Sequence, residues 1–308
     1  MGTTYSITII DPPEGEDPEA LSAGIFEVLK NVNQQMSNWI EDSEVSRFNA
    51  SESTDWFEVS PETAKVLQES IRIHQLSGGA FDVTVAPLID AWGFGPAGRD
   101  KEPPTEDELN ELAKLIGSEK ITTRLEPPGL KKSVTGLSVN LSAIAKGFGV
   151  DAVSEYLGSR GVKSYLVEIG GEVRVAGRKE NGARWRIGIE RPESSRRTLQ
   201  TSVALDDQAM ATSGDYRNYI ERDGQKYSHT IDPRTLKPIT HTLASVSVVA
   251  ETCLEADALA TALMVMGPDN GYNWAEAQNL AALMLIHADE GFEERATSVW
   301  KQGRGEKQ

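Results

Sequence analysis

The sequence predicts an α+β protein, and three observations carry the prediction. Strand-like and helix-like stretches mix without a βαβα rhythm. Alternating stretches are paired through glycine turns at Gly170-Gly171 and Asp223-Gly224. The stretch "GGEVRVAG" has neither the spacing nor the following helix of a dinucleotide fingerprint, which argues against a doubly wound sheet. At 308 residues and 39% apolar, the chain can bury the core of one large domain or two modest ones.

The elements follow in order. "MGTTYSITII" alternates like a strand. Asp17-Pro18 reads as an N-cap with proline at the first helical position. Leu21, Ile25, Val28, Leu29, Val32 and Met36 then keep helical spacing to about Ser37. "NWIEDSEVSRFNAS" is polar and reads as a surface loop. Ser60-Pro61 opens a second helix that ends at Gly78-Gly79, with His74 near its negative end. "GGAFDVTVAPLIDAWGFG" is apolar and carries only two acids, Asp82 and Asp90. Thr105 and Glu108 form a capping box on a solvated helix. From Ser138 a strand is expected to lead into a helix capped by Ser142 and running to Leu157. "SYLVEIGGEVRVAG" reads as two strands, "RWRIGIERP" as a third, and "DYRNYIERDGQKYSHTIDP" as a hairpin. "LASVSVVA" and "LAALMLIHAD" read as strands on either side of a helix, "TCLEADALATALMVMG", which has its own box from Thr252 to Glu255 and stops at Gly267.

Composition narrows the function classes. The 31 lysines and arginines stand against 47 acids, a net charge of −16 that repels phosphate backbones and anionic membranes. A phosphorylated ligand would need a metal or backbone amides to offset that repulsion. The single cysteine, Cys253, permits no intrachain disulfide and reads as a small core residue. No run reaches membrane-helix length, and no charged-then-apolar signal opens the chain.

Three places could carry chemistry. On the all-round apolar helix "EADALATALMVMG", Asp257 and Thr261 stand at i and i+4, on one face. A buried carboxylate needs a cation. Two hard oxygens suit Mg²⁺, and an ion pair with an arginine is the other reading. The helix start in "NLSAIAKGFG" could receive an anion, with Lys146 adding charge, or be a plain helix start. Third, Ser213 to Arg217 and His229 are expected on adjacent hairpin strands, gathering hydroxyls, a guanidinium and an imidazole, or simply forming a polar hairpin end.

Taken in order, "GGAFDVTVAPLIDAWGFG", "NLSAIAKGFGVD", "YLVEIGGEVRVAG", "ATSGDYRNYI", "SHTIDPRTLKPI" and "LEADALATALMVMG", with the opening "MGTTYSI", closely resemble the ApbE family, the FAD:protein FMN transferases, from residue 1 to about residue 290. The resemblance implies an ApbE-like α+β fold of mixed, largely antiparallel sheets packed with helices. That fold would be a single domain over 1–308, or two intertwined subdomains with the active site between them. It implies Mg²⁺-dependent cleavage of FAD at its pyrophosphate. FMN then passes to a threonine hydroxyl of a target flavoprotein as a phosphoester, and AMP leaves.

Carried over residue by residue, the family's metal ligands fall on Asp257, Thr261 and the carbonyl of Ala143. Its flavin contacts fall on Met1, Trp39, Ala80, Phe81, Asp82, Asn140, Lys146 and Ile231. Asn140 stands where some relatives have Asp, and Lys146 where they have Glu. The catalytic roles fall on His229, which matches the family's histidine near the scissile phosphate, and on Asp257. An imidazole titrates near neutrality and suits general-base work. The resemblance further implies a periplasmic protein, lipid-anchored in a longer precursor. Its acceptor would be a membrane redox-complex subunit or an extracytoplasmic electron carrier. Water in place of the target hydroxyl would make the protein an FAD pyrophosphatase, and no chemistry would make it a flavin-binding protein. "DDQAMAT" (206–212) loosely matches the acceptor pattern but lacks a hydroxyl at Ala209 and reads as strand.

Overall fold

The computed structural model describes residues 2–10, 12–95, 102–193, 198–215, 219–222 and 225–303. The chain begins with β1 (Tyr5–Ile10), α1 (Pro18–Met36), α2 (Glu44–Ala50), β2 (Phe57–Glu58), α3 (Pro61–Leu76), α4 (Ala86–Ala91), α5 (Glu106–Ala113), β3 (Ile121–Leu125) and β4 (Pro128–Lys132). It continues with α6 (Ala145–Ser159), β5 (Ser164–Ile169), β6 (Glu172–Ala176), β7 (Trp185–Glu190), β8 (Leu199–Leu205), β9 (Ala209–Gly214), β10 (Tyr219–Arg222), β11 (Gln225–Ser228), β12 (Ile231–Asp232) and β13 (Lys237–Pro238). It ends with β14 (Leu243–Ala250), α7 (Cys253–Met266), α8 (Pro268–Ala277), β15 (Ala281–His287), β16 (Phe292–Ala296) and α9 (Ser298–Gly303). The protein is α+β, and every strand pair described is antiparallel.

Two compact units share the chain discontinuously. One comprises 1–31, 146–217 and 241–308; the other comprises 32–145 and 218–240. The first is built on a seven-stranded sheet in the order β1-β5-β6-β9-β14-β15-β16. Alternation along β5 explains its two faces. Tyr165, Val167 and Ile169 pack with Leu21, Ile25 and Leu29 of α1 and with Val150, Val153 and Leu157 of α6. Leu166 points the other way, to a cluster with Trp185 and Ile187 of β7, Val203 of β8 and Trp300 of α9. Gly170 and Gly171 close the β5–β6 hairpin at φ +65° and +108°, a two-residue turn that needs left-handed backbone at both positions. Helix α7 is apolar on all sides and accordingly buried along nearly its whole length.

The second unit holds α2 to α5, the three-stranded sheet β2-β4-β3, and the pairs β10-β11 and β12-β13. Leu88, Trp92, Leu109, Ile116 and Ile231 form one cluster of its core. Arg222 pairs with Gln225, and the Asp223-Gly224 turn expected between them lies outside the described residues. Among the described residues no helix is long and apolar enough to cross a membrane.

Several expected boundaries hold. Asp17 caps α1 by accepting from Glu19 N at 3.0 Å. Ser60 caps α3, and the Thr105–Glu108 box is complete. Three expectations fail. The segment read as a surface loop contains α2, capped by Ser43 and anchored by buried Val45 and Phe48. The strand expected at Ser138 does not form, because Val139 and Asn140 spend their backbone groups on Asn49 and Val83 rather than on a ladder. Helix α6 then starts at Ala145; Ser142 does not cap it, its own N–H being bound by Asn140 Oδ1 at 2.9 Å.

Candidate active site

In the first unit α6 and α7 exchange carboxylates. Asp151 of α6 accepts from the first amides of α7, Cys253 N at 3.0 Å and Leu254 N at 2.8 Å. Asp257 of α7 returns the arrangement, its Oδ2 accepting from Gly147 N of α6 at 2.9 Å. Each helix start thus receives the anion that its unpaired N–H groups favour. At the start of α6 the Gly147 amide is thus taken by a side chain of the same unit.

Gly147 makes the exchange possible. A Cβ there would lie 2.2 Å from the Cys253 carbonyl oxygen and 2.8 Å from Asp257 Cβ. Gly147→Ala is expected to lower stability by about 1–3 kcal/mol, because backbone cannot yield as a side chain does. Urea unfolding checks this, and an unchanged midpoint would contradict the contact.

Asp257 is 2% exposed, and its cation is Lys146 rather than an arginine. Lys146 Nζ lies 3.4 Å from Asp257 Oδ1 and 3.1 Å from Oε1 of Glu172, which is also 2% exposed. Sequence reasoning missed Glu172. A glutamate after a Gly-Gly turn looks like an exposed strand start, and nothing local marks its burial. Burial pushes the Glu172 carboxyl up to about 8, against the pull of Lys146 and with help from the Asp257 charge. Burial works to lower the Lys146 ammonium, but the Asp257 and Glu172 carboxylates outweigh it and hold the group above its ordinary value. Thr261, one turn beyond Asp257, has its hydroxyl 3.3 Å from Ser213 Oγ of β9. Thr212 is tied to Ser247 at 2.8 Å, with β9 flanked by β6 and β14, so residues 209–212 of the acceptor-like segment are sheet. Cys253 is buried, as expected.

In the second unit Asp82 is a structural hub. Its Oδ1 accepts from Thr84 N at 2.7 Å, Thr84 Oγ1 at 2.6 Å and Ser118 Oγ at 2.7 Å. Its Oδ2 accepts from Ser118 N at 3.1 Å and faces His74 Nδ1 at 3.2 Å. His74 thus has a specific partner beyond the helix end predicted for it. Ala80 and Phe81 are each 1% exposed, so their side chains are closed to a ligand and their backbone is what they can offer. Trp39 is the opposite, 71% exposed in the turn after α1. Asn140 and Ala143 are half-buried ahead of α6.

His229 sits half-buried in the bend between β11 and β12. Its neighbours are fixed: Ser228 Oγ accepts from Thr230 N at 3.1 Å, Ile231 enters the core, and Asp232 holds Arg234 through two bonds of 2.9 Å. Ser213 and Gly214 are not on the hairpin that leads to His229. They belong to β9 of the other unit, because β9 pairs with β14 over its whole length. Tyr216, Arg217 and Met1 lie outside the described residues.

The His74–Asp82 pair carries a pH signature. The Asp82 hydrogen bond raises His74 above 6.5, against burial. Burial works to raise Asp82, but bonds from His74, Thr84 and Ser118 hold it below 3.8. The histidine's contribution to stability is full below 6.5 and lost as pH rises through its folded value. The aspartate's is full above 3.8 and lost as pH falls through its own. Wild type should therefore melt higher near about pH 5.5 than at about pH 8.5 by an increment that His74→Gln removes. An identical pH dependence of Tm in the variant would contradict the pair.

This antiparallel α+β architecture is shared by solved structures of the ApbE family. The chain belongs to that family, whose profile matches residues 1–284. An FAD:protein FMN transferase of Vibrio cholerae is 48% identical over 301 residues, 98% of this chain and 90% of that one. One of Haemophilus influenzae is 42% identical, covering 98% and 89%. Among solved structures, the flavin transferase ApbE from Vibrio cholerae superposes with a TM-score of 0.89 at 46% identity, covering 98% of this chain and 96% of that one. The apo flavinyl transferase ApbE of Pseudomonas stutzeri gives 0.90 at 38%, covering 98% and 93%.

Proposed function

We propose that this chain is a Mg²⁺-dependent FAD:protein FMN transferase. The observation that carries the reading is the α7 face, with a buried carboxylate at Asp257 and a hydroxyl one turn on at Thr261, in a chain that belongs to the ApbE family. The target's threonine oxygen bonds to the FMN phosphorus, the pyrophosphate bridge breaks, and AMP leaves with the bridging oxygen. His229 takes the threonine proton. Trp39 offers an exposed ring for stacking on flavin or adenine. Asn140, Lys146 and the backbone of the Ala80–Asp82 and Ile231 segments contribute the remaining contacts.

The residues present fit Mg²⁺. Among the described residues no cluster of three His, Cys, Asp or Glu side chains is placed to hold a metal by itself. Mg²⁺ does not need one, since one or two carboxylates with waters and substrate phosphates satisfy it. Asp257 and Thr261 would hold it, with the Ala143 carbonyl as the ligand that the family resemblance adds. It would supply charge neutralisation at the pyrophosphate.

We further place the protein in the periplasm, anchored to a membrane by a lipid in its precursor. The acceptor is then a membrane redox-complex subunit or an extracytoplasmic electron carrier. The test combines protein, FAD, Mg²⁺ and an acceptor domain carrying the threonine motif. Flavin fluorescence on the denatured acceptor with released AMP, both abolished by EDTA, is the expected result. Intact FAD would sink the reading, and AMP with free FMN and an unlabelled acceptor would make water the nucleophile.

A further inference from the structure

We propose that the Lys146 ammonium is the resident counter-cation of the Asp257–Glu172 carboxylate pair, and that a divalent cation binds here by displacing it. The proposal rests on the reading that this site takes Mg²⁺. Four observations support it. Both carboxylates are sealed, with side chains only 3% exposed, while the Lys146 side chain is 29% exposed, so the lysine reaches solvent along its length and the carboxylates do not. The ammonium holds them loosely: 3.4 and 3.1 Å exceed the 2.7–2.9 Å of a tight charge-assisted pair. Glu172 Oε2 is buried with no hydrogen-bond partner among the described residues, so the pair offers more oxygen than the ammonium satisfies. The lysine stem runs beside a glycine: a Cβ at Gly170 would lie 3.4 Å from Lys146 Cδ, so no side chain there pins it.

The charges explain the direction of the exchange. Asp257 and Glu172 carry two negative charges when both are ionised, which one ammonium cannot balance and a divalent ion can. Asp257 Oδ1 and the Glu172 carboxylate would hold a divalent ion, whose charge would match both carboxylates and leave Lys146 without its partners. The freed ammonium is then a donor for a phosphate oxygen of the ligand. Asp257 keeps its place throughout, because Gly147 N holds Oδ2 and leaves Oδ1 to the cation.

Mn²⁺ binding to the full chain, read by loss of the free-ion EPR signal, tests the exchange. Lys146→Met is expected to bind Mn²⁺ at least about tenfold more tightly than wild type, a gain of ~1.4 kcal/mol. Lys146→Arg, which keeps the charge and can fork across both carboxylates, should bind it more weakly. If Lys146→Met fails to fold, wild type answers alone. Acetylation followed by peptide mass analysis should show Lys146 more reactive with Mg²⁺ than without, and exposed Lys163 unchanged. Equal or weaker binding by folded Lys146→Met, or Lys146 reactivity indifferent to Mg²⁺, overturns the proposal. Absence of Mn²⁺ binding in every form overturns it together with the metal site. Exchange observed without any flavin transfer would uphold it and refute the transferase reading instead.

Discussion

Asp257→Asn is expected to lower FMN transfer by about 10³-fold while leaving the protein folded. The asparagine oxygen can still accept from Gly147 N, so the α6–α7 crossing survives. Lys146 keeps Glu172 as a partner. What is lost is the charged ligand proposed for the metal. Lewis-acid stabilisation is worth several kcal/mol, and ~4 kcal/mol corresponds to about three decades at ~1.4 kcal/mol per decade. The informative measurement is AMP release against Mg²⁺ concentration, with circular dichroism confirming the fold. A variant still stimulated by Mg²⁺ to near wild-type rate would remove Asp257 from the metal site.

His229→Ala is expected to lower transfer by about 10²–10⁴-fold, the range of a lost general base. Its affinity for FAD should stay close to wild type, because the role assigned is to move a proton. The bend itself should persist, since Asp232–Arg234 and the burial of Ile231 hold it without the imidazole. Flavin fluorescence titration separates the two quantities. Undiminished turnover would rule out the role, and a drop wholly in FAD affinity would recast His229 as a binding residue.

Much of this fold was legible in the sequence where a local signal matched the tertiary outcome. Asp17-Pro18, Ser60-Pro61 and the Thr105–Glu108 box mark helix starts by chemistry that acts within one turn, and the structure uses them. Failures occurred where tertiary contacts decide. Helix α2 buries only Val45 and Phe48, too little periodicity to stand out from a polar stretch. The 138–141 segment alternates like a strand, yet Asn49 and Val83 claim its backbone from distant positions.

The site divided in the same way. Asp257 and Thr261 share a helix face, which i, i+4 spacing reveals. Lys146 and Glu172 meet Asp257 only through the packing of α6, α7 and the β5–β6 turn, which no spacing encodes. Asp82 was read as a ligand contact by resemblance. Its five donors show that it also organises the segment that carries it.

The discontinuous layout of the two units has a consequence for biosynthesis. Tyr5 pairs with Ile169, and the chain between them includes all of 32–145, which belongs to the other unit. That unit in turn lacks Ile231, a member of the Leu88–Trp92 cluster, until its second segment is made. At translation rates of about 5–20 residues per second, the first strand leaves the ribosome on the order of ten seconds before its partner exists. The nascent chain therefore carries an unpaired β edge and an open apolar cluster through most of its synthesis. A ribosome stalled anywhere before residue 240 holds two unfinished units rather than one finished and one pending.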